Sequence, residues 1–398
     1  MLFDYSTDAV REGSAEILVP KASLLTTEGN KLTTAPVFYN PAMKFNRDVA
    51  VNVLRTYSNT LGEQFSVCEP MTGCGVRGIR FALEVDGVRE VFLNDLNPKA
   101  YELCLFNVRK NGVNDRATVK NMEANIFLDE YSMPKKRFNV IDVDPFGSPV
   151  PYLDSAVRAL RSRGLLAVTA TDVASLCGVY PEACLRKYGG KTLRTEYCHE
   201  IAVRLLIGYI AKTAAKYDLG IQVLFSHSTD HYIRVYVTTT RGAELANRCI
   251  KKLGYILHCF NCFHREISYG VLPHLDMRCK ECGGQMDVAG PLWLDEFVNK
   301  KFCLKMLAEL DEMKSVDKAR LTRLLNLILE EADGPQTYYV VSRVCDKLNL
   351  RTPKKMSVID TLHGMGYFAS RTHFNANGIR TDAPASVIKE TVAKLFDR

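Results

Sequence analysis

The stretch EPMTGCGVRGIRFALE, residues 69–84, places Gly73, Gly75 and Gly78 at G-x-G-x-x-G spacing. It continues the apolar segment Phe65–Glu69 and leads into an amphipathic segment, so the glycines lie between a predicted strand and a predicted helix. Glycines in such a turn let the backbone approach a ligand closely, and the N-terminus of the next helix offers N–H groups to it. The stretch therefore predicts a ligand-binding turn in an α/β domain.

Short apolar segments alternate with longer amphipathic ones from about residue 65 to 240, which is typical of a parallel sheet flanked by helices. Seven strands are predicted, at Phe65–Glu69, Glu90–Asn94, Ala117–Asn121, Val140–Asp144, Leu165–Ala170, Ile221–Ser226 and Tyr232–Thr238. Only a polar turn, residues 227–231, separates the last two, so they can pair only as an antiparallel hairpin. A parallel sheet ending in one hairpin is the arrangement of class I methyltransferases, and the predicted fold is Rossmann-like α/β.

A carboxylate follows the second predicted strand. Asp95 stands 22 residues after Gly73, where it can accept hydrogen bonds from a ribose diol. NAD and S-adenosylmethionine both carry such a diol. The alternative, that Asp95 only caps the helix opening at residues 97–98, leaves the glycines unexplained.

The fourth predicted strand ends in Asp144-Pro145-Phe146-Gly147. This is similar to the Asp/Asn-Pro-Pro-aromatic motif of methyltransferases that modify exocyclic amines of bases. Such an amine is a poor nucleophile because its lone pair is delocalised into the ring. The Asp144 carboxylate and the Pro145 carbonyl can accept its two N–H bonds and aim the lone pair at a methyl sulfonium, while Phe146 stacks on the base. The motif favours S-adenosylmethionine over NAD, although Asp, Pro and Gly are also common turn formers.

Longer stretches across nearly the whole chain closely resemble the tRNA (guanine-26-N2)-dimethyltransferase family. They are VFYNP (37–41), NRD (46–48), VRGIRFALE (76–84), NDLNPKAYEL (94–103), DVDPFGSP (142–149), TATDVASLCG (169–178), CLRKYGG (184–190), CHE (198–200), AAKYDLGI (214–221), DHY (230–232) and SRTHFNANGIRTDAP (370–384). The resemblance implies an enzyme that uses S-adenosyl-L-methionine to mono- or dimethylate the N2 amine of a flipped guanine, at position 26, in tRNA.

The resemblance also implies the roles of individual residues. Asp144 is expected to be the catalytic carboxylate, with Phe38 and Phe146 close to the target base. The residues expected to bind the cofactor are Arg47, Gly73, Gly75, Arg77, Asp95, Glu123 and Ala124. An arginine fork can grip the methionine carboxylate with two hydrogen bonds. This sequence departs from the family at Glu123, where Asp is frequent.

Four of the thirteen cysteines form a spaced cluster. Cys259-x2-Cys262 and Cys279-x2-Cys282 are separated by 16 residues, within the spacing typical of zinc sites. Four thiolates complete a tetrahedral site, so we expect a structural Zn²⁺ rather than a catalytic one. His199 has no matching histidine, so a capping or RNA-facing role is expected for it.

A chain of 398 residues predicts two or three domains. We expect a methyltransferase domain with an N-terminal extension at 1–245, a zinc-binding module at 246–290 and a helical tRNA-binding domain at 291–398. In the last, Tyr338–Leu350 and Lys354–Met365 resemble the helix pair of a winged helix, with wing strands at Tyr367–Phe374 and Gly378–Thr381.

The net charge is +7, and residues 351–398 hold eight Lys or Arg against four Asp or Glu, which leaves +4 there. A basic end suits nucleic acid, and a solvated charged face is equally compatible with it. The predicted RNA contacts are Lys354, Lys355, Arg371, His373 and Arg380. The alternative is that the two arginines stabilise the wing and that His373 is a buried structural residue.

No apolar run approaches the roughly 18 residues of a membrane span, and the N-terminus carries acids where a signal peptide is apolar. We expect a cytoplasmic monomer that binds tRNA and no membrane. Three alternatives are a nicotinamide dehydrogenase, a DNA or RNA exocyclic-amine methyltransferase with another substrate, and a non-enzymatic zinc-containing RNA-binding module.

Overall fold

The structure is a computed structural model that describes residues 3–21, 35–313 and 316–396. The chain divides into two compact units. The first consists of Met1–Pro145, Pro151–Val168 and Leu304–Arg323, and the second of Phe146–Val150, Thr169–Cys303 and Leu324–Arg398. The predicted boundaries at 245/246 and 290/291 do not separate these units. Leu304–Arg323 belongs with the first unit, and the domain boundaries stay a prediction.

The first unit begins with a small hairpin that the sequence did not predict and continues with alternating strands and helices. Its elements are β1 (Thr7–Glu12), β2 (Ala15–Pro20), α1 (Lys44–Leu61), β3 (Phe65–Glu69), α2 (Val76–Glu84), β4 (Val88–Asn94), α3 (Pro98–Lys110), β5 (Ala117–Lys120), α4 (Ala124–Glu130), β6 (Phe138–Val143), α5 (Val150–Ala159) and β7 (Leu160–Ala170), the last two extending into the second unit. β1 and β2 pair with each other.

The second unit follows with helices, a long hairpin and two small sheets. Its elements are α6 (Val173–Leu176), α7 (Pro181–Tyr188), α8 (Cys198–Ala215), β8 (Leu219–Thr229), β9 (Tyr232–Arg241), α9 (Ala243–Lys251), β10 (Leu253–His258), β11 (Arg265–Tyr269), β12 (Asp287–Trp293), α10 (Lys300–Glu309), α11 (Lys318–Glu331), β13 (Tyr339–Val340), α12 (Val341–Leu348), α13 (Lys355–Gly364), β14 (Ala369–Arg371), β15 (Gly378–Thr381) and α14 (Ala385–Phe396), with α10 and α11 each divided between the units.

A seven-stranded sheet has the order β5-β4-β3-β6-β7-β9-β8. β3 pairs in parallel with β4 and β6, β4 with β5, and β6 with β7, whereas β8 and β9 are antiparallel. The predicted fold and its closing hairpin are confirmed. The hairpin turn is shorter than predicted, because β8 continues to Thr229 and leaves only residues 230–231 between the strands.

Parallel pairing places one end of several strands at the same edge of the sheet. Glu69 ends β3, Asn94 ends β4 and Val143 ends β6. All six residues of β6 are buried, because helices cover both faces of such a sheet. The polar residues that follow these strands therefore come together at this edge.

The C-terminal part of the second unit contains the predicted helix pair, α12 and α13. Strands β14 and β15 pair as an antiparallel wing, and β13 adds a third strand to β15. A separate apolar cluster supports this module, including Val344, Val358, Leu362 and Val392. None of the helices in the described part of the chain combines the length and the apolar character that crossing a membrane requires.

Candidate active site and metal centre

Three glycines shape the turn between β3 and α2. Gly73 and Gly75 have φ angles of 57° and 82°, in the left-handed region that glycine adopts without strain. A Cβ atom on Gly78 would lie 2.3 Å from the side chain of Leu93 and 2.7 Å from the carboxylate of Glu69. The first two glycines thus serve the turn, and the third lets α2 pack closely on β4.

Asp95 braces this turn from the end of β4. Its Oδ2 accepts a hydrogen bond from the backbone N–H of Gly73 at 2.8 Å, and its Oδ1 accepts one from Asn97 at 3.0 Å. Burial raises the pKa of Asp95 above its ordinary value, and these two hydrogen bonds oppose the rise. The cap of α3 is Asn97, whose side chain accepts from Lys99. Asp95 therefore joins the two loops that would enclose a ligand at this edge.

Arg77, in the first turn of α2, connects the glycine turn to the end of β6. Its Nη1 donates to Asp142 Oδ1 at 2.6 Å, and its Nη2 donates to Asn46 Oδ1 at 2.9 Å and to the carboxylate of Asp144. Its Nε lies 3.7 Å from Glu69 Oε1. The arginine side chain is 5% exposed and that of Asp144 is 22% exposed. Arg77 thus fixes the expected catalytic carboxylate in place.

Glu69 is a buried carboxyl beside this arginine. Burial raises its pKa to about 8, and the charge of Asp142 adds to the rise, whereas Arg77 and hydrogen bonds from Thr72 and Gly78 oppose it. Near neutral pH Glu69 therefore keeps its proton. Two carboxylates then surround one guanidinium, and the group carries a net negative charge.

Arg47 has a protein carboxylate as its partner. It donates through Nε to Glu12 Oε2 at 2.7 Å and through Nη2 to Glu12 Oε1 at 2.5 Å, and it also reaches the carbonyl of Asn40. Tyr39 donates to the same carboxylate. The arginine grips a carboxylate as its geometry predicts, but that carboxylate belongs to β1. The contact of Arg47 with a methyl donor stays a prediction.

The loop after β6 carries Phe146, whose side chain is 58% exposed. Gly147 has a φ of 75° and forms two hydrogen bonds with Thr171. The N–H of Gly147 donates to the threonine hydroxyl at 2.7 Å, and the backbone N–H of Thr171 donates to the carbonyl of Gly147 at 2.9 Å. Ser148 donates to Tyr188, which in turn donates to Asp172 at 2.6 Å. A fixed loop therefore presents an aromatic ring to solvent, which suits stacking on a base.

Two further predicted residues lie at this edge of the first unit. The backbone carbonyl of Phe38 is 3.0 Å from the position that a Cβ on Gly73 would take, so residue 38 lies against the glycine turn. Glu123 caps α4, with its carboxylate accepting from the backbone of Ile126 at 2.9 Å. The neighbouring Met122 exchanges two hydrogen bonds with Asn94 at the end of β4. The predicted adenine contacts at 123–124 are thus tied to the same edge.

Sequence reasoning missed three residues whose side chains lie against Arg77, namely Asn46, Glu69 and Asp142. Asn46 lies in the NRD stretch, Asp142 stands two residues before Asp144 in the predicted strand Val140–Asp144, and Glu69 ends the strand before the glycine turn. The alternation of Asp142 and Asp144 was the available signal, since residues i and i+2 of a strand share a face.

The four predicted cysteines meet beside the small sheet of β10, β11 and β12, two in the loop between β10 and β11 and two in the loop between β11 and β12. Their Sγ atoms all lie within 4.8 Å of one another, with Cys259 to Cys282 and Cys262 to Cys279 both at 3.5 Å. Each C-x2-C turn closes with a backbone hydrogen bond, from Phe263 to Cys259 and from Gly283 to Cys279, both 2.8 Å. Four convergent thiols suit a tetrahedral soft cation, and this set needs no histidine.

Comparison with known proteins assigns the chain to a family. The model of the N2,N2-dimethylguanosine tRNA methyltransferase family matches residues 13–393. The chain belongs to this family.

Relatives within the family match over nearly their whole length. The chain is 44% identical to the tRNA (guanine(26)-N(2))-dimethyltransferase of Methanothermobacter thermautotrophicus, covering 97% of this chain and 99% of the relative. It is 40% identical to that of Methanosphaera stadtmanae, covering 98% and 97%. Its structure matches Trm1 from Pyrococcus horikoshii in complex with S-adenosyl-L-methionine, with a TM-score of 0.85, 38% identity, and coverage of 97% of this chain and 99% of that one.

The structure separates the RNA contacts predicted for this dimethyltransferase family member into buried and exposed residues. The Arg380 side chain is fully buried and pairs with Glu200 at 2.9 Å and Glu331 at 2.8 Å. The His373 side chain is fully buried against Glu331. This burial favours the alternative that Arg380 and His373 stabilise the wing; their contact with RNA stays a prediction.

The other three predicted contacts lie at or near the surface. Lys354 is exposed at the start of α13, and Lys355 donates to the carbonyl of Ala376. Arg371 is 44% exposed and pairs with Glu330. Of these residues, Lys354 and Arg371 are the exposed cations.

Proposed function

We propose that this protein transfers methyl groups from S-adenosyl-L-methionine to the N2 amine of a guanine in tRNA, with position 26 as the expected target. The proposal is carried by the residues that follow β6. Arg77 donates a hydrogen bond to the carboxylate of Asp144, and Phe146, two residues further along the chain, is exposed. Membership of the family supports the same assignment.

The residues of the first unit suit a cationic methyl donor. When bound, S-adenosyl-L-methionine supplies a methyl group on a positively charged sulfur. The Gly73–Asp95 brace positions the turn and leaves lone pairs of the carboxylate for a ribose diol. The net negative charge around Arg77 favours a positive ligand in a partly buried setting.

Asp144 and its neighbours would act on the amine. The carboxylate of Asp144 and the carbonyl of Pro145 accept the two N–H bonds, which localises the lone pair and stabilises the positive charge that develops on nitrogen. Phe146 stacks on the base, which must leave its helix to reach the loop. A second transfer requires the amine to rotate or rebind after the first.

Nucleoside analysis tests this function. The pure protein is incubated with S-adenosyl-L-methionine and unmodified tRNA, and the digest is examined by mass spectrometry. We expect N2-methylguanosine and N2,N2-dimethylguanosine, and a loss of about 10²- to 10⁴-fold in rate for Asp144→Asn, which keeps the size of the side chain. Methylation of adenine or cytosine instead would favour the other exocyclic-amine methyltransferases, and normal turnover by the variant would remove Asp144 from the chemistry.

The second unit contains the residues proposed to bind zinc and part of the tRNA. Cys259, Cys262, Cys279 and Cys282 are proposed to hold one structural Zn²⁺, since four thiolates leave no position open for a substrate. We propose that tRNA is bound partly by the exposed cations Lys354 and Arg371. The protein is expected to act as a monomer in the cytoplasm.

A further inference from the structure

A second cluster of thiols lies outside the residues assigned above. Cys177 follows α6, and Cys198 and His199 open α8. The ligand atoms of the three side chains lie within 4.8 Å of one another, and Cys198 Sγ is 3.9 Å from His199 Nδ1. Cys177 is buried, whereas Cys198 and His199 are half-buried. The sequence did not predict this group, because 20 residues lie between the two cysteines.

The backbone holds these two segments together. Thr192 donates through its hydroxyl to the carbonyl of Leu176 at 2.6 Å. Gly178 has a φ of 86°, and a Cβ there would lie 2.9 Å from the backbone nitrogen of Arg194. Contacts on both sides of Cys177 therefore hold it against the segment that leads into Cys198.

The position of Cys198 favours its thiolate. It is the first residue of an 18-residue helix whose N-terminus has no side-chain cap, so the helix dipole and the backbone N–H of His199 stabilise a negative charge there. A hydrogen bond from Cys177 and the neighbouring His199 lower the pKa of Cys198 to about 5, against its burial. Contact with Cys198 raises the pKa of His199.

Other titratable groups face the pair from the elements packed around it. Cys184 of α7 lies close enough to Cys177 to interact with it electrostatically, and the charge of Cys198 acts on Tyr338. Burial raises the pKa of Cys184 to about 12, and burial raises that of Tyr338 as well. Both therefore stay neutral at physiological pH, and Cys198 is the thiolate of the group.

We propose that Cys177 and Cys198 form a peroxide-reactive dithiol, in which Cys198 is the attacking thiolate and Cys177 is the resolving thiol. The Cys198 sulfur attacks one oxygen of hydrogen peroxide, the O–O bond breaks, and hydroxide leaves, giving a sulfenic acid. The Cys177 sulfur then attacks the Cys198 sulfur and displaces the hydroxyl group. The hydroxyl group takes up the proton of the Cys177 thiol and leaves as water. The hydroxide takes up the proton that Cys198 released on ionising, so overall the two thiols lose two electrons and two protons, and peroxide becomes two waters. Rotation of the side chains closes the sulfurs to a disulfide of about 2.05 Å.

A soft metal ion is the competing occupant of these atoms. The dithiol is favoured because the group offers three ligands, two of them from adjacent residues of one helix turn, and no further Cys, His, Asp or Glu joins it among the residues that the structure describes. A structural zinc site uses four.

Peptide mass spectrometry on the full-length, zinc-loaded protein tests the proposal. Reduced protein receives about one equivalent of hydrogen peroxide, and free thiols are then alkylated. We expect a Cys177–Cys198 linked peptide and a loss of about 2 Da per chain. In Cys177→Ser the linked peptide is lost and dimedone labels Cys198. In Cys198→Ser both products are lost, whereas Cys184→Ser, the matched control, retains the linked peptide.

Two results would overturn it. One is oxidation of Cys198 no faster than that of the buried Cys68, with no linked peptide. The other is a content of two zinc ions per chain that falls to one in Cys198→Ser, which would assign the group to a metal. Neither result bears on methyl transfer, so the proposed enzymatic function stands or falls separately.

Discussion

The guanidinium of Arg77 donates a hydrogen bond to the carboxylate of Asp144. The first residue comes from the helix after the glycine turn, and the second directly follows β6. The arginine expected to hold the methyl donor therefore also holds the carboxylate expected to orient the amine. Binding of one substrate and alignment of the other depend on the same side chain.

Replacement of Arg77 by lysine should weaken both functions. A lysine keeps the charge but cannot reach Asp142, Asp144 and Asn46 together, because it lacks the planar fork. Loss of a charge-assisted hydrogen bond corresponds to about 1.5–3 kcal/mol, so we expect roughly a 10- to 100-fold fall in kcat/KM. Calorimetry with S-adenosyl-L-methionine and methyl incorporation into tRNA measure the two effects.

Arg116→Lys serves as the control for this variant. Arg116 also lies in the first unit, and its Nη2 donates to the carbonyl of Ala82 at 2.9 Å. The Arg116→Lys variant should keep the affinity for S-adenosyl-L-methionine and the rate of methyl incorporation near those of the parent protein. An Arg77→Lys variant that matches this control would show that Asp144 is aligned without the arginine.

Glu69 should make stability depend on pH. Its pKa is about 8 in the folded chain and near its ordinary 4.5 in the unfolded chain. Between these two pH values the folded chain binds one more proton than the unfolded chain. The contribution of Glu69 to the unfolding free energy therefore falls as pH rises, by on the order of 1.4 kcal/mol per pH unit. Glu69→Gln should lack this fall.

Urea unfolding at pH 5, 6.5 and 8 measures the difference between parent and Glu69→Gln. The amide oxygen of glutamine can still accept from Thr72 and Gly78, which now donate to Glu69 at 3.0 and 2.8 Å. Other titrating groups affect both proteins equally. Parallel curves for the two proteins would mean that Glu69 loses its proton in the folded state near its ordinary pKa.

The sheet was predictable because its pattern is local. Each buried strand is a short apolar run, and the turn residues and cysteine spacings are contiguous in sequence. Burial of Arg380 was not predictable, since its partners Glu331 and Glu200 stand 49 and 180 residues away. A charged residue on a basic segment looks exposed until those partners are known. The cluster at Cys177 and Cys198 escaped prediction for the same reason.

The proposed zinc site makes a prediction that is independent of catalysis. Cys262→Ser should lower the zinc content from about one ion per chain to near zero and expose the segment around 253–293 to proteolysis, because the metal supplies folding energy there. His274→Ala is the control, as His274 is exposed and lies outside the thiol cluster. Metal analysis and limited proteolysis give the answer. Zinc retained in Cys262→Ser, or lost in His274→Ala, would change the ligand set.

A truncation after about residue 290 is a poor test of where tRNA binds. It would remove Met306, whose carbonyl accepts from the buried Asn52 of the first unit at 3.0 Å. It would also remove Arg380 and leave Glu200 buried beside Arg204 alone. Point variants at exposed positions of the C-terminal segment leave these buried contacts in place and so separate binding from stability.

The last prediction contrasts the exposed Lys354 with the buried Arg380. If Lys354 contacts a phosphate, Lys354→Ala should lower tRNA affinity and reduce the slope of log affinity against log salt by roughly 0.7–0.9, because one fewer counterion is released on binding. Arg380→Gln should instead lower the unfolding free energy by about 3–5 kcal/mol, since it leaves buried carboxylates without their partner, while the folded protein keeps the parental salt slope. Filter binding across a salt series and urea unfolding measure the two quantities, with the exposed Lys135→Ala of the first unit as the surface-charge control. A Lys354→Ala slope equal to that of Lys135→Ala would remove Lys354 from the interface, and a reduced slope in folded Arg380→Gln would show that the buried network shapes the RNA-binding surface.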